Sequence, residues 1–142
     1  MEESFGNLIL KVSTALSNYV NKNFADSGID LNTQQMVILM VLWANDGQRQ
    51  QDLADRTHKD KTSVTRLLAG MEKKKLIRRR QDKHDSRQKL VYVTEKSLAI
   101  KKQVLHSLRN DFAYIQKDID AQELSTCVNV LESAYQNLLN TQ

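Results

Sequence analysis

Between Gln48 and Thr94 the chain sets fourteen of its 21 Lys and Arg residues against six Asp and Glu, a local excess of eight positive charges. The whole chain carries only +4, so the remainder stands at −4. One third of the sequence holds all of the positive excess, and a field segregated in this way draws a polyanion to that third alone. The chemistry it fits is phosphate binding, with nucleic acid as the partner. An ordinary solvated surface accounts for a run such as Lys73-Lys74-Lys75 taken alone, but not for the segregation.

The elements that must position these charges follow from residue spacing. Leu53 and Ala54, then Val64, Leu67, Leu68 and Met71, recur at helical intervals on either side of the polar Thr57-His58-Lys59. That spacing predicts two short helices joined by a tight turn. Asp60 suits the N-cap of the second, where its carboxylate can accept from the N–H of Thr62 or Ser63 and complement the helix dipole. Lys61, Thr62, Ser63, Thr65 and Arg66 then lie off the apolar face, where a recognition helix presents its opening residues to base edges and phosphates.

After Leu76-Ile77 the pattern becomes strand, polar tip, strand: Arg78-Arg79-Arg80, then Gln81 to Gln88, then Leu90-Val91-Tyr92-Val93. Alternate residues of a strand face opposite ways, so at most two of the three arginines can point to DNA. Arg80 is expected there, with Lys83, His84 and Arg87 of the tip, while Asp82 and Asp85 orient Arg87 and its neighbours through ion pairs. The whole is a helix-turn-helix followed by a basic wing.

At these residues the chain resembles the MarR family of bacterial winged-helix transcription regulators. The resemblance is carried by Leu53-Ala54, Thr65-Arg66, the Glu72-Lys73-Lys74-x-Leu76-Ile77 exit, and a wing that matches the family's D-x-R-D-x-R at Asp82, Asp85 and Arg87. His84 replaces one wing arginine. Lys75 stands where the family usually ends the helix with glycine, and a non-glycine residue held at positive φ costs about 1 kcal/mol. The resemblance implies a homodimer that occupies a promoter as a repressor. It also implies release by a small phenolic or anionic effector bound between the DNA-binding lobe and the dimer helices.

Around this centre the chain reads as mainly α. Its 142 residues suit about one domain, proline is absent, and strand-like alternation is confined to the wing. Residues 5–24 carry one apolar helical stripe, with Gly28 able to take the left-handed cap beyond it. Asn32-Thr33-Gln34-Gln35 reads as a capping box that opens a helix apolar nearly all round, the expected buried centre of the lobe. Beyond the wing, Thr94 caps a long helix with Leu98, Leu105, Leu108, Phe112 and Ile115 at heptad-like steps. A last helix repeats the pattern with Leu124, Val128, Leu131, Tyr135 and Leu138. These seams and the N-terminal stripe offer more apolar surface than one small lobe can bury, which calls for a partner, most simply a second copy. The division expected is a dimerisation helix at 1–30, the winged helix-turn-helix lobe at 31–94 and dimerisation helices at 95–142.

Other chemistries find little support. His58, His84 and His106 have no metal-ligand spacing, and no phosphate loop, nucleophile elbow or zinc motif occurs, so neither enzyme nor cofactor is expected. The single Cys127 beside Val128 is expected to be a buried, inert thiol, which suits a reducing cytoplasm. The longest apolar run, Met36 to Ala44, is too short to span a membrane, and the acidic Met1-Glu2-Glu3-Ser4 opening shows no export signal. The rival to operator DNA binding is a winged helix that serves as a protein- or RNA-interaction module.

Overall fold

A computed structural model of the chain describes residues 4–141; the acidic Met1-Glu2-Glu3 lies outside them. The first helix, α1 (Phe5–Asp26), starts at Ser4, whose hydroxyl accepts from the Asn7 N–H at 3.1 Å. It ends as its sequence predicts: Gly28 sits at φ +74° and the Ile29 N–H folds back to the Phe24 carbonyl at 2.8 Å. Helix α2 (Thr33–Ala44) opens with the expected capping box, Gln35 N–H donating to Asn32 Oδ1 at 2.9 Å and Asn32 N–H to Gln35 Oε1 at 3.2 Å. It buries Ile38, Leu39 and Leu42 but leaves Val37 and Met40 exposed. An all-round apolar helix is therefore buried on one side only, because α1, α4 and β3 pack against that side.

Strand β1 (Gln48–Arg49) leads into α3 (Gln50–Arg56) and α4 (Lys61–Lys73), and the wing strands follow as β2 (Ile77–Gln81) and β3 (Lys89–Val93). The sheet has three antiparallel strands in the order β1-β3-β2, not the two the sequence suggests. Gln48 stands opposite Val91 from one side, and Arg79 opposite Val91 from the other. A strand of two residues is too short to show alternation, so spacing alone could not reveal it. Gly47 at φ +72° makes the turn that delivers it, and a Cβ there would lie 2.8 Å from the Tyr92 ring.

Two non-glycine residues between 31 and 94 take the left-handed cap conformation. His58 (φ 56°) ends α3, with Lys59 N–H on the Ala54 carbonyl at 3.1 Å, and Lys75 (φ 62°) ends α4, with Leu76 N–H on the Met71 carbonyl at 3.0 Å. Lys75→Gly should therefore stabilise the protein. Net of the extra freedom glycine brings to the unfolded chain, about 0.5–1 kcal/mol is expected as a rise in the urea midpoint at unchanged slope.

The chain divides into two compact units, one extending to Leu108 and the other from Arg109 onward. The hydrophobic core lies in the first, where Phe24, Ile38, Leu39, Leu42, Leu53, Val64, Leu68, Met71, Leu76, Ile77 and Val91 are almost wholly buried. Helix α5 (Glu95–Ile115) contributes Val104 and Leu108 to that core. It begins at Thr94, whose hydroxyl donates to the Lys75 carbonyl at 2.6 Å and accepts from Ser97 N–H at 3.3 Å. In the second unit α6 (Ala121–Leu139) starts at Asp120, which accepts from the N–H groups of Gln122 and Glu123.

No residue of α6 is buried within the chain. Val128, Leu131, Tyr135 and Leu138 are all exposed, as are Phe5, Leu8, Ile9 and Val12 of α1. Cys127 is exposed as well, contrary to the buried thiol expected from its apolar neighbour. Its neighbour Val128 is itself uncovered, so an apolar sequence context here did not mean an interior position. No described helix is long and apolar enough to cross a membrane.

Candidate nucleic-acid interface

The sequence places Asp60 where its carboxylate meets the free end of α4, and the geometry follows. Ser63 N–H donates to Asp60 Oδ1 at 2.7 Å and the Ser63 hydroxyl to Oδ2 at 2.8 Å. Those two bonds, the backbone one foremost, hold the Asp60 carboxyl below the usual carboxylate range. Beyond the cap, Lys61, Thr62, Ser63, Thr65 and Arg66 are all exposed, while Val64 among them and Leu68 one turn on are fully buried. Lys61 and Arg66 have no ion-pair partner among the described residues, so their charges remain available.

The three wing arginines separate as strand alternation requires. Arg79 turns toward α4. Its Nε and Nη2 donate to Glu72 Oε1 at 3.3 and 3.0 Å, and its backbone N–H to Oε2 at 3.2 Å. Arg80 lies on the opposite face of the sheet with its guanidinium 5.8 Å from the centroid of the Tyr92 ring. The reason is register: Ile77, Arg79 and Val91 share the face that packs on the helices, so Arg78 and Arg80 must take the other.

The Glu72–Arg79 pair also carries a pH dependence. The Arg79 guanidinium, ahead of its backbone N–H, holds the Glu72 carboxyl below the usual range. A carboxyl lowered in the folded chain contributes stability that is complete above its unfolded value and lost as pH falls through its folded one. Folding stability should therefore decline below about pH 4. Denaturant midpoints measured down that range should fall less steeply for Glu72→Gln than for the parent, and an equal slope would remove the pair from the acid response.

At the wing tip, Asp82 Oδ1 accepts from His84 N–H at 2.9 Å, and Asp85 Oδ1 accepts from Arg87 N–H at 3.1 Å and Arg87 Nε at 3.2 Å. Asp82 N–H and Gln88 N–H close the loop on the carbonyls of Gln88 and Asp85, each at 3.0 Å. The two aspartates thus fold the tip, and Lys83, His84 and Arg87 stand exposed on it.

Between α4 and the wing lies an open concavity of about 290 Å³ lined by Gln50, Gln51, Lys61, Thr65, Arg79, Arg87, Gln88 and Lys89. Four of these eight residues are cationic; Arg79 is paired with Glu72 and Arg87 with Asp85, and Lys61 and Lys89 give the surface the positive charge a phosphate backbone attracts. Residues 31–89, which span α2 to the start of β3, match the MarR family. Over that segment the chain is similar to the MarR family.

A MarR transcriptional regulator from Methanosarcina mazei Go1 superposes with a TM-score of 0.86 at 22% identity, over 96% of this chain and 97% of that one. For the MarR protein of Peptoclostridium difficile DA00132 the TM-score is 0.90 at 18% identity, over 99% and 90%. A MarR-family protein of Listeria monocytogenes complexed with 26mer DNA gives 0.83 at 23% identity, over 99% and 91%. At such identities these likenesses establish the fold. The HTH-type transcriptional regulator TtmR of Methylorubrum extorquens (strain PA1) is 31% identical over 72 residues, 51% of this chain. The match spans only 37% of that relative's length.

Along the concavity the structure adds Gln50, Gln51, Arg79 and Lys89 to the residues singled out by sequence. Arg79 and Lys89 share a face only through the β2–β3 register, which residue types do not reveal. Gln50 comes close because β1 sets the start of α3, and β1 has no sequence signature. The run Lys73-Lys74-Lys75 also needs correction, since Lys74 is not simply solvated. Its Nζ bonds Asp30 Oδ1 at 3.0 Å and Gln35 Oε1 at 3.3 Å, tying the end of α4 to the α1–α2 connection.

Proposed function

We propose that this chain is a MarR-family, sequence-specific double-stranded DNA-binding transcription regulator that works as a homodimer in the cytoplasm. The observation that carries the reading is the basic concavity between the Asp60-capped helix and the wing. Each subunit inserts α4 into a major groove with Thr62, Ser63, Thr65 and Arg66 nearest the bases. Lys61 and Lys89 meet the backbone, and Arg80, Lys83, His84 and Arg87 of the wing reach the flanking minor groove. The two-fold axis makes the operator pseudo-palindromic. The capture of a 26mer DNA by the Listeria relative and the regulator name of TtmR support the same direction.

The terminal regions, 1–30 and 95–142, supply the dimer contacts in this reading, and the exposed apolar residues of α1 and α6 support it. Repression by promoter occupancy, relieved by a small phenolic or anionic effector, completes the proposal on the strength of the family.

Selection of bound duplexes from a random pool tests the core of it. Enrichment of an inverted repeat is expected, with half-sites about one helical turn apart. Equal affinity for random single-stranded RNA would overturn it in favour of an interaction module.

A further inference from the structure

Two hydroxyls in the opening turns of α4 have their protons fixed by groups that can only accept. The Ser63 hydroxyl must donate to the Asp60 carboxylate. Thr65 Oγ1 lies 2.9 Å from the Lys61 carbonyl oxygen, so the threonine gives its one proton back along its own helix. Gln50 Nε2 lies 2.7 Å from the same Oγ1. With no proton left on that oxygen, the glutamine must be the donor. The relay from Gln50 through Thr65 to Lys61 thus uses the threonine's proton and one of its two lone pairs, and it locks the side chain to the first residue of α3. Thr65 is nonetheless exposed and lines the concavity. With its hydroxyl turned to Lys61 and Gln50, what it offers outward is chiefly its Cγ2 methyl.

We infer that Thr65 is a specificity-determining residue that reads the C5-methyl group of a thymine through its own methyl, with Gln50 as the positioning residue that holds it in that pose. The inference rests on the DNA-binding reading above and deepens it. In the major groove only the thymine edge carries a methyl, and contact with a threonine methyl is one of the ways that edge is distinguished. Removing one such methyl from water is worth about fourfold in affinity, so two half-sites together give roughly fifteenfold.

Uracil in place of thymine deletes that methyl and leaves base pairing and the hydrogen-bonding edge intact. In a duplex selected by the wild-type protein, each thymine would be replaced singly by uracil and then in symmetric pairs. One position per half-site should weaken binding about fourfold singly and roughly fifteenfold as a pair. Thr65→Ser keeps the relay but lacks the methyl, so it should bind the thymine duplex more weakly and no longer distinguish thymine from uracil there. Thr65→Val keeps methyl groups without the hydroxyl and should retain the discrimination. Gln50→Ala, which frees the Thr65 side chain to turn, should lower the thymine-to-uracil ratio itself, a readout that general loosening of α3 would not move.

Full thymine discrimination by Thr65→Ser, or its loss in Thr65→Val, would overturn the methyl contact. So would a selected duplex in which no thymine-to-uracil change matters, and this result would leave DNA binding standing. Failure of the wild type to select any duplex would instead overturn the DNA-binding reading and the methyl contact with it.

Discussion

Replacing Leu131 and Leu138 together by Asp should turn the proposed dimer into monomers whose individual fold is unchanged. Within a single chain these side chains are 42% and 66% exposed, so a charge at either position meets water and costs the isolated chain little. In a two-fold interface the same charges would be buried without partners. Each would then cost several kcal/mol, and symmetry supplies four of them. The exposure within one chain is what makes the test selective, because the fold tolerates the change and only an interface would not. Light scattering should report the monomer mass at micromolar concentration, with an unchanged helical circular-dichroism spectrum. Affinity for a full operator should fall with it, since a monomer spans one half-site. A folded variant that stays dimeric would place the interface elsewhere.

The parts of this protein that sequence discloses are those governed by local rules. Asp60, the Asn32/Gln35 box and Gly28 act through neighbours three or four residues away, and each does in the structure what its residue type predicts. The parts that sequence hides depend on which strands pair and in what register. Arg79 and Arg80 are chemically identical and adjacent, and only the pairing of Arg79 with Val91 sends one toward α4 and the other over Tyr92. Lys74 looks like one member of a solvated lysine run until the α1–α2 connection brings Asp30 beside it, 44 residues away in sequence. Cys127 shows the opposite failure, in which an apolar neighbour suggested an interior that a single chain does not provide for α6.

The second large effect separates the helix from the wing. Arg66 lies in the second turn of α4, exposed and without an ion-pair partner among the described residues, so its guanidinium is available to a guanine edge or a phosphate. Arg87 is 88% exposed at the wing tip, and its one ion pair, to Asp85 at 3.2 Å, is of the surface kind worth about 0–1 kcal/mol. That pair yields readily to DNA. Arg66→Ala should cost about 1–3 kcal/mol per half-site and relax preference at one base position if it reads a base, or weaken all sequences alike if it meets a phosphate. Arg87→Ala should erase a preference for A·T-rich flanks, whose narrow minor groove concentrates negative potential. Either substitution removes one cation per subunit from the interface, so the log–log dependence of affinity on salt should flatten by about two units per dimer. Arg80→Ala, on the sheet face away from α4, should flatten it less, which makes it the internal control for the register argument. Titrations of the parent and the three variants at several salt concentrations decide the matter. Unchanged affinity and slope for both Arg66→Ala and Arg87→Ala would mean that this helix and wing do not face DNA.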